Sequence, residues 1–466
     1  MRIGLFTDTY HPANNGVTFT VDIQRRELEK LGHEVYIFAP DGAAVRKKKK
    51  LPPDPHIIRL PAIQYDLQVS LFSPPRLLNK IRKLNLDIIC FFTPAFVGMT
   101  AALAAQKTGA VLVGQHHTDT YEFSKDYPAI GAAHFFAGFF APLFLKLSTA
   151  QKKTFAKLYV KPVSRESEEK YAQRLIAGLT ALLYANCDGV VAMSQKSVRQ
   201  LTQFGERSGE ELNLRVIPDG MNILPMTSAE EIAEFRQRWG FEPDDEVVVN
   251  FGRMAKEKNQ ELLIEMLPLL LERRPKAKVL LAGDYVYRET LEKIAAKSPV
   301  ADRIVITGRY ERDQIPTICA VSKVFAHPSL SDTHALVINE AAGQGLPIVM
   351  CDDAGINDVF IEGENGFFAK VDAGDIAEKI ARILADDALQ TRFSQRSREL
   401  ATEFSEDRQL GKLVAFYDEL LAQAPTPVEK IGPISRLRRN LAYFPRQADP
   451  DTPRRTLSRK QRIDEN

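Results

Sequence analysis

The chain has 466 residues, 44% of them hydrophobic and 26% charged, with a formal net charge of +2. That length allows two or three domains, the composition is that of a soluble globular protein, and the balanced charge gives no electrostatic case for a nucleic-acid partner. The cysteines at 90, 187, 319 and 351 have no metal-ligand spacing and read as reduced thiols of a cytosolic protein, not as a disulfide framework.

Met1-Arg2 leads straight into the strand-like run Arg2–Thr7, so no signal peptide is expected. A helix is predicted from Thr18 to Leu31, with Gly32 as its stop. Strand-like apolar runs follow at Val35–Ala39, Asp87–Phe92, Val111–Gly114, Gly189–Met193 and Leu214–Ile217. The pattern then restarts with Glu246–Met254, Lys278–Asp284, Arg303–Gly308, Lys323–Ser329 and Pro347–Asp353. Strands alternating with helical segments mean βαβ units and parallel sheets, and two such sets mean two Rossmann-like domains. The break is expected near Asp219–Thr227, giving domains of 1–222 and 223–407. A helix over 408–424 is expected to pack back toward the first domain. The basic, proline-containing segment 425–466 reads as a poorly ordered tail. A second basic run, Arg46-Lys47-Lys48-Lys49-Lys50, falls in an expected loop.

Tyr127 to Leu145 contains no Asp, Glu, Lys or Arg over 19 residues, nearly the length of a membrane span. Pro128, Gly131, Gly138 and Pro142 argue against a span. Phe135, Phe136, Phe139, Phe140 and Phe144 recur at helical spacing and predict one apolar face. Lys146, Lys152, Lys153, Lys157 and Lys161 follow. A buried core helix and a surface helix dipping into a membrane interface both fit this pattern.

In parallel α/β sheets, ligands bind beyond the carboxyl ends of the strands. Asp8, Asn14–Gly16, His116–Asp119, Gly252–Lys258, Gly283–Asp284 and Asp332 all follow strand-like runs, so they lie on the expected ligand side. Arg253 and Lys258, five apart across a strand-to-helix turn, can close on a diphosphate from two sides: a planar fork and a mobile point charge. A solvated basic turn explains the same residues. Ser331-Asp332-Thr333 looks like a helix start, with free backbone N–H groups suited to phosphate. Glu340, eight residues beyond Asp332, then stands roughly 12 Å along the helix axis, able to reach another part of the same ligand. A nucleoside diphosphate sugar has that layout: hydroxyls at both ends, charge in the middle. The plainer account makes Asp332 an N-cap and Glu340 a surface residue. Asn14-Asn15-Gly16 is a turn signal, and Gly16 lets backbone approach a phosphate. The first strand is not followed by GxGxxG, so the dinucleotide fingerprint is missing. His116 and His117 have no partner set for a metal, and no bound transition metal is expected.

Taken together and in order, "FTDTYHPANNGV", "HTD", "VIPDGMNI", "NFGRMAKEKN", "LLAGD", "HPSLSDTHALVINEAAGQGLPIV" and "AGINDVFIEGENGFF" resemble the retaining glycosyltransferases of family four, over about residues 2 to 424. The resemblance implies the GT-B fold, two Rossmann-like domains facing a central cleft. It also implies transfer of a sugar from a UDP- or GDP-hexose to an acceptor hydroxyl, with retention at the anomeric carbon and without a cofactor or essential metal. Arg253 and Lys258 match the pair that stabilises the leaving diphosphate. Asp332 and Glu340 match the two acids of the E-x7-E motif, the first on the donor sugar and the second on the ribose. His117 matches the histidine near the reacting centre, and Gly16 the glycine loop near the phosphates. Gly252, Ala335, Leu336 and Val337 complete the implied donor-binding set. Two positions depart from the family pattern: Asp332 stands where Glu is usual, and Ala335 where glycine is common.

The N-terminal stretches are similar to those of bacterial enzymes that glucosylate diacylglycerol. That similarity implies a lipid acceptor and an anionic membrane surface, with Phe135, Phe136, Phe139, Phe140, Lys146, Lys152 and Lys153 on the acceptor or membrane side and a peripheral place on the inner face of the cell membrane. A soluble sugar or metabolite acceptor, a nucleotide-sugar epimerase and a non-catalytic nucleotide-sugar binder are the competing functions.

Overall fold

The computed structural model describes residues 1–11, 15–41, 54–64, 68–70, 75–126, 128–159, 168–329, 332, 334–351 and 359–424. The basic run at 46–50, Asn14, Tyr127, Lys161, Ser331, Thr333, Asp352, Asp353 and the tail from 425 lie outside the described residues.

The first sheet contains β1 (Arg2–Phe6), β2 (Glu34–Pro40), β3 (Ile57–Leu60), β6 (Ile88–Phe91), β7 (Val111–His116), β8 (Gly189–Ala192) and β9 (Leu214–Val216). Its strands run parallel in the order β3-β2-β1-β6-β7-β8-β9. A small antiparallel hairpin, β4 (Ala62–Gln64) and β5 (Gln68–Ser70), stands apart. The second sheet contains β10 (Glu246–Phe251), β11 (Ala277–Ala282), β12 (Ile304–Gly308), β13 (Val324–His327), β14 (Ile348–Cys351) and β15 (Gly366–Ala369). It is also parallel, in the order β12-β11-β10-β13-β14-β15.

Both faces of each sheet are covered, which is why these strands read as continuous apolar runs. In β10, Val248 faces one core while Val247, Val249 and Phe251 face the other. In β11, Val279 and Leu281 alternate with Leu280 and Ala282 in the same way. Each sheet reverses strand order beside its first strand, at β1/β6 and at β10/β13, and such a switch point opens a crevice at the carboxyl ends.

The chain passes between the sheets at Ile217–Leu224 and returns at Phe404–Glu406. Met221 N–H donates to the Phe404 carbonyl at 2.9 Å. A Cβ at Gly220 would lie 2.6 Å from the Glu406 Cα, so only glycine fits this crossing. The Glu406 carboxylate accepts from Asn222 at 2.8 Å and pairs with Arg26 of the helix Gly16–Lys30. The last described helix, Glu406–Gln423, puts Leu410, Leu413, Phe416, Tyr417 and Leu420 into one core with Ile3, Leu5, Val21 and Ile88 of the first sheet's side.

The uncharged segment after residue 127 divides. One helix, Pro128–Phe139, lies against the helix Glu168–Tyr184, where Cβ atoms at Gly131 and Gly138 would lie 2.8 Å from Ala172 and 2.3 Å from Leu179. A short second helix, Ala141–Phe144, is buried through Ala141 and Phe144. The predicted single apolar face is therefore corrected: Phe144 is in the core, Phe140 is half-buried, and Phe136 and Phe139 are each 64% exposed. The buried-core-helix reading fails for the same reason. No described helix is long and apolar enough to cross a membrane.

Candidate active site at the carboxyl ends of the two sheets

At the second switch point, two loops supply the charge. After β10, Gly252 takes φ +137°, and a Cβ at Gly283 would sit 1.9 Å from the Gly252 carbonyl oxygen. Two glycines thus let the loops after β10 and β11 touch. The chain continues through Arg253 into the 3₁₀ turn Lys256–Lys258, closed by Asn259 at φ +53°. Arg253 donates to the Glu257 carboxylate at 2.7 Å, with its guanidinium 5.0 Å from the centre of the Tyr285 ring.

After β13, Asp332 ion-pairs with Lys258 through one oxygen and meets His327 Nε2 at 3.0 Å through the other. Burial alone would push the Asp332 carboxyl up; Lys258 and His327 outweigh it and hold it well below the usual carboxylate range. The helix expected to start at Ser331–Thr333 begins instead at Leu336 and runs to Gly343, with Ala335 at its N-cap and no side-chain cap bond. Asp332 is therefore not an N-cap, because its oxygens already face Lys258 and His327. Val337 stands 3.5 Å from the place a Gly252 Cβ would occupy. Leu336 lines a crevice with Thr20 and Asp219 of the opposite side.

Glu340 lies one turn into that helix, its side chain only 10% exposed, and accepts from Arg312 Nε at 3.1 Å. It is thus no surface residue. Burial raises the Glu340 carboxyl above its usual value, and Arg312 offsets only part of the rise.

On the facing side, His117 follows β7 with both ring nitrogens engaged: Nε2 to the Gln115 amide oxygen at 2.8 Å and Nδ1 to Asp219 at 3.2 Å. Asp219 also accepts from the Thr20 hydroxyl at 3.1 Å. Burial works against the Asp219 carboxylate, yet His117, His334 and Thr20 bring its pKa below normal. The neighbours of His117 have other tasks: His116 packs beside the Tyr184 hydroxyl at 3.0 Å, and Asp119 caps the helix Thr120–Asp126 through Glu122 N–H at 3.0 Å. Gly16 opens the helix Gly16–Lys30 in uncrowded space, with Asn15 as N-cap accepting from Thr18 N–H at 3.0 Å. Asp8 follows β1, accepts from the Val97 backbone, and has its Oδ2 buried with no hydrogen-bond partner among the described residues.

Of the residues singled out from sequence, Lys258 and Asp332 come together directly, and Gly252 meets Val337. Arg253, Glu340 and His117 each take other partners: Glu257 and Tyr285, Arg312, and Gln115 with Asp219. Phe135, Phe136 and Phe139 surround the Tyr159 side of a separate surface, where Phe135 and Phe139 lie 5.3 and 6.5 Å from its ring. Lys146, Lys152 and Lys153 are exposed nearby in the chain. Sequence reasoning did not single out His327, Asp219 or Arg312. His327 ends a buried strand, and Asp219 and Arg312 follow β9 and β12, so the carboxyl-end rule points to all three but not to their partners.

Two parallel-sheet domains with facing switch points have the GT-B architecture. The profile described as Glycosyltransferase Family 4 matches residues 14–223, and that described as Glycosyl transferases group 1 matches residues 231–400. The chain therefore carries a Glycosyltransferase Family 4 domain followed by a Glycosyl transferases group 1 domain. It is 25% identical over 379 residues to the alpha-monoglucosyldiacylglycerol synthase of Acholeplasma laidlawii, a match covering 79% of this chain and 84% of that one. It is likewise 25% identical over 414 residues to the enzyme of the same name from Streptococcus pneumoniae, covering 86% and 83%. Among solved structures, Anabaena Alr3699/HepE in complex with UDP is similar in fold, with a TM-score of 0.65 at 18% identity over 90% of this chain and 100% of that one.

Proposed function

We propose that the protein is a retaining glycosyltransferase that moves a hexose from a UDP- or GDP-sugar to the hydroxyl of a membrane lipid such as diacylglycerol. The observation that carries this reading is the Lys258–Asp332–His327 cluster at the β10/β13 switch point, with Arg253 on the same loop as Lys258. Asp332 holds Lys258 by an ion pair. A bound diphosphate exchanges for that carboxylate, taking the Lys258 ammonium and the Arg253 fork while Asp332 turns to the sugar hydroxyls. Charge then develops on the leaving diphosphate where two cations already stand, which lowers the barrier without reorganisation at the moment of reaction. The Gln115–His117–Asp219 clamp fixes the imidazole on the facing side, against the reacting sugar. Glu340 takes the ribose hydroxyls.

The lipid acceptor is supported by the two diacylglycerol-synthase relatives and by the aromatic surface of the helix Pro128–Phe139. Phe136, Phe139 and Leu143, the last 70% exposed, present apolar bulk to solvent, and exposed lysines follow them in the chain. Such a surface suits the interface of an anionic bilayer.

The test incubates purified protein with a panel of UDP- and GDP-sugars, with and without anionic vesicles containing diacylglycerol, and follows nucleoside diphosphate release and the anomeric configuration of the product. The expected result is release that needs one donor and the lipid together, giving an α-glycolipid from an α-donor. Release indifferent to lipid would move the acceptor to a soluble molecule. No release with any donor would contradict the transferase reading.

A further inference from the structure

Arg312 belongs to none of the motifs that carry the family resemblance. It lies in the 3₁₀ turn Arg312–Gln314, beyond the carboxyl end of β12. Its Nε donates to Glu340 Oε1 at 3.1 Å. Its guanidinium carbon lies 4.3 Å from the centre of the Phe19 ring, and Phe19 comes from the helix Gly16–Lys30 on the other side of the cleft. Its Nη2 is buried without a hydrogen-bond partner among the described residues. A buried cationic donor left unsatisfied is costly, and a nearby ligand oxygen removes that cost.

We infer that Arg312 is the positioning residue for the nucleoside end of the donor, holding Glu340 as an oriented carboxylate for the ribose while its Nη2 donates to an oxygen of the bound nucleoside. This rests on the reading of Glu340 as the ribose acid. Three observations meet here. Glu340 is almost enclosed, so it needs a counter-charge to stay ionised. Arg312 is the only charged partner in the described surroundings: the other titratable groups that face it, Tyr310 and Cys319, are themselves held neutral, their pKa values raised by burial and by Glu340. Phe19 covers the guanidinium face from the opposite domain, a cation–π contact that helps hold the fork in place. One oxygen of Glu340 is thus committed to Arg312, leaving the other for hydroxyl donors.

The test titrates UDP and GDP calorimetrically into wild-type protein and into Arg312→Gln, Arg312→Lys, Glu340→Gln and the Arg312→Gln/Glu340→Gln pair, from pH 6 to 8.5. Arg312→Gln is expected to weaken the tighter nucleotide by about 10- to 100-fold. Without the guanidinium the Glu340 carboxyl rises further, so the acid-side loss of affinity moves to higher pH than in wild type. In the Glu340→Gln background, Arg312→Gln is expected to cost much less, because the pair acts as a unit. Arg312→Lys keeps the charge and recovers the wild-type pH profile, although without the fork. In steady state the KM for donor rises while kcat stays within about 3-fold, since the interaction is made equally in ground and transition states. Wild-type binding that Arg312→Gln leaves unchanged in strength and pH profile would overturn the assignment of Arg312 alone. Wild-type protein that binds neither nucleotide would overturn the donor reading itself, and this inference with it.

Discussion

The two switch points have the same topology and different chemistry. At β10/β13, charges answer charges: Lys258 and His327 on Asp332, Arg253 on Glu257, with Arg312 on Glu340 close behind. At β1/β6, Asp8 accepts from the Val97 backbone, His117 pairs with Asp219, and His11 pairs with Asp22. A ligand with a diphosphate needs the first kind of crevice, because cations kept in place by local carboxylates are already oriented when the anion arrives. A ligand that brings only a hydroxyl, carried on an apolar body, needs the second. On the proposed reading, the donor side is thus marked by the paired cations Lys258, Arg253 and Arg312.

Several substitutions break or sharpen that contrast. Lys258→Ala has the largest expected effect: kcat for sugar transfer, followed as nucleoside diphosphate release at saturating lipid, falls by about 10²- to 10³-fold, the loss typical of removing one preorganised stabiliser. The double change Phe136→Ser/Phe139→Ser acts on the other side. Vesicle flotation of this variant is expected to drop by at least about 10-fold, from the apolar area withdrawn from the interface, with nucleotide affinity unchanged. Asp332→Asn separates binding from chemistry. With the carboxylate gone from Lys258, calorimetry is expected to record UDP binding about 10-fold tighter, the scale of one charge-assisted hydrogen bond, while transfer falls.

Asp8 gives the smallest effect and concerns stability. Burial pushes its carboxyl from an ordinary 3.8 up to about 7, with the Val97 N–H opposing. A pKa raised on folding stabilises the native state fully only below the ordinary value, and that contribution is lost as pH rises through about 7. Asp8→Asn keeps an acceptor for Val97 N–H and removes the titration. Its melting temperature is expected to exceed wild type by about 2–4 °C at pH 8, with the gap closing at pH 5. An identical difference at both pH values would show that ionisation of Asp8 is not the cause.

Much of the scaffold was legible because strands buried on both faces leave unmistakable apolar runs. Eleven of them were read from the sequence and appear as β1, β2 and β6 to β14. β3 and β15, each at an edge of its sheet, and the hairpin β4/β5 were not read from the sequence. The carboxyl-end rule found Lys258 and Asp332 by position, and the structure puts them in contact. It misread the start of the next helix: Ser331-Asp332-Thr333 has the composition of an N-cap, but Lys258 and His327, distant or irregularly placed in sequence, take the carboxylate. Arg312 and Asp219 also stand beyond strand ends, but their roles were illegible for the same reason, since each gains its meaning from a partner on another element. The aromatic segment misled through periodicity alone: the helix breaks at Phe140, and Phe144 turns into the core beyond it.

The central claim is that the cations at β10/β13, and not the aromatic surface, bind the donor. Calorimetric titration of UDP and GDP, without lipid, into wild-type protein, Lys258→Ala and Phe136→Ser/Phe139→Ser tests it most directly. The account predicts equal affinity for wild type and the aromatic variant, and binding weakened by at least about 10-fold in Lys258→Ala. Nucleotide binding that survives Lys258→Ala unchanged would contradict it.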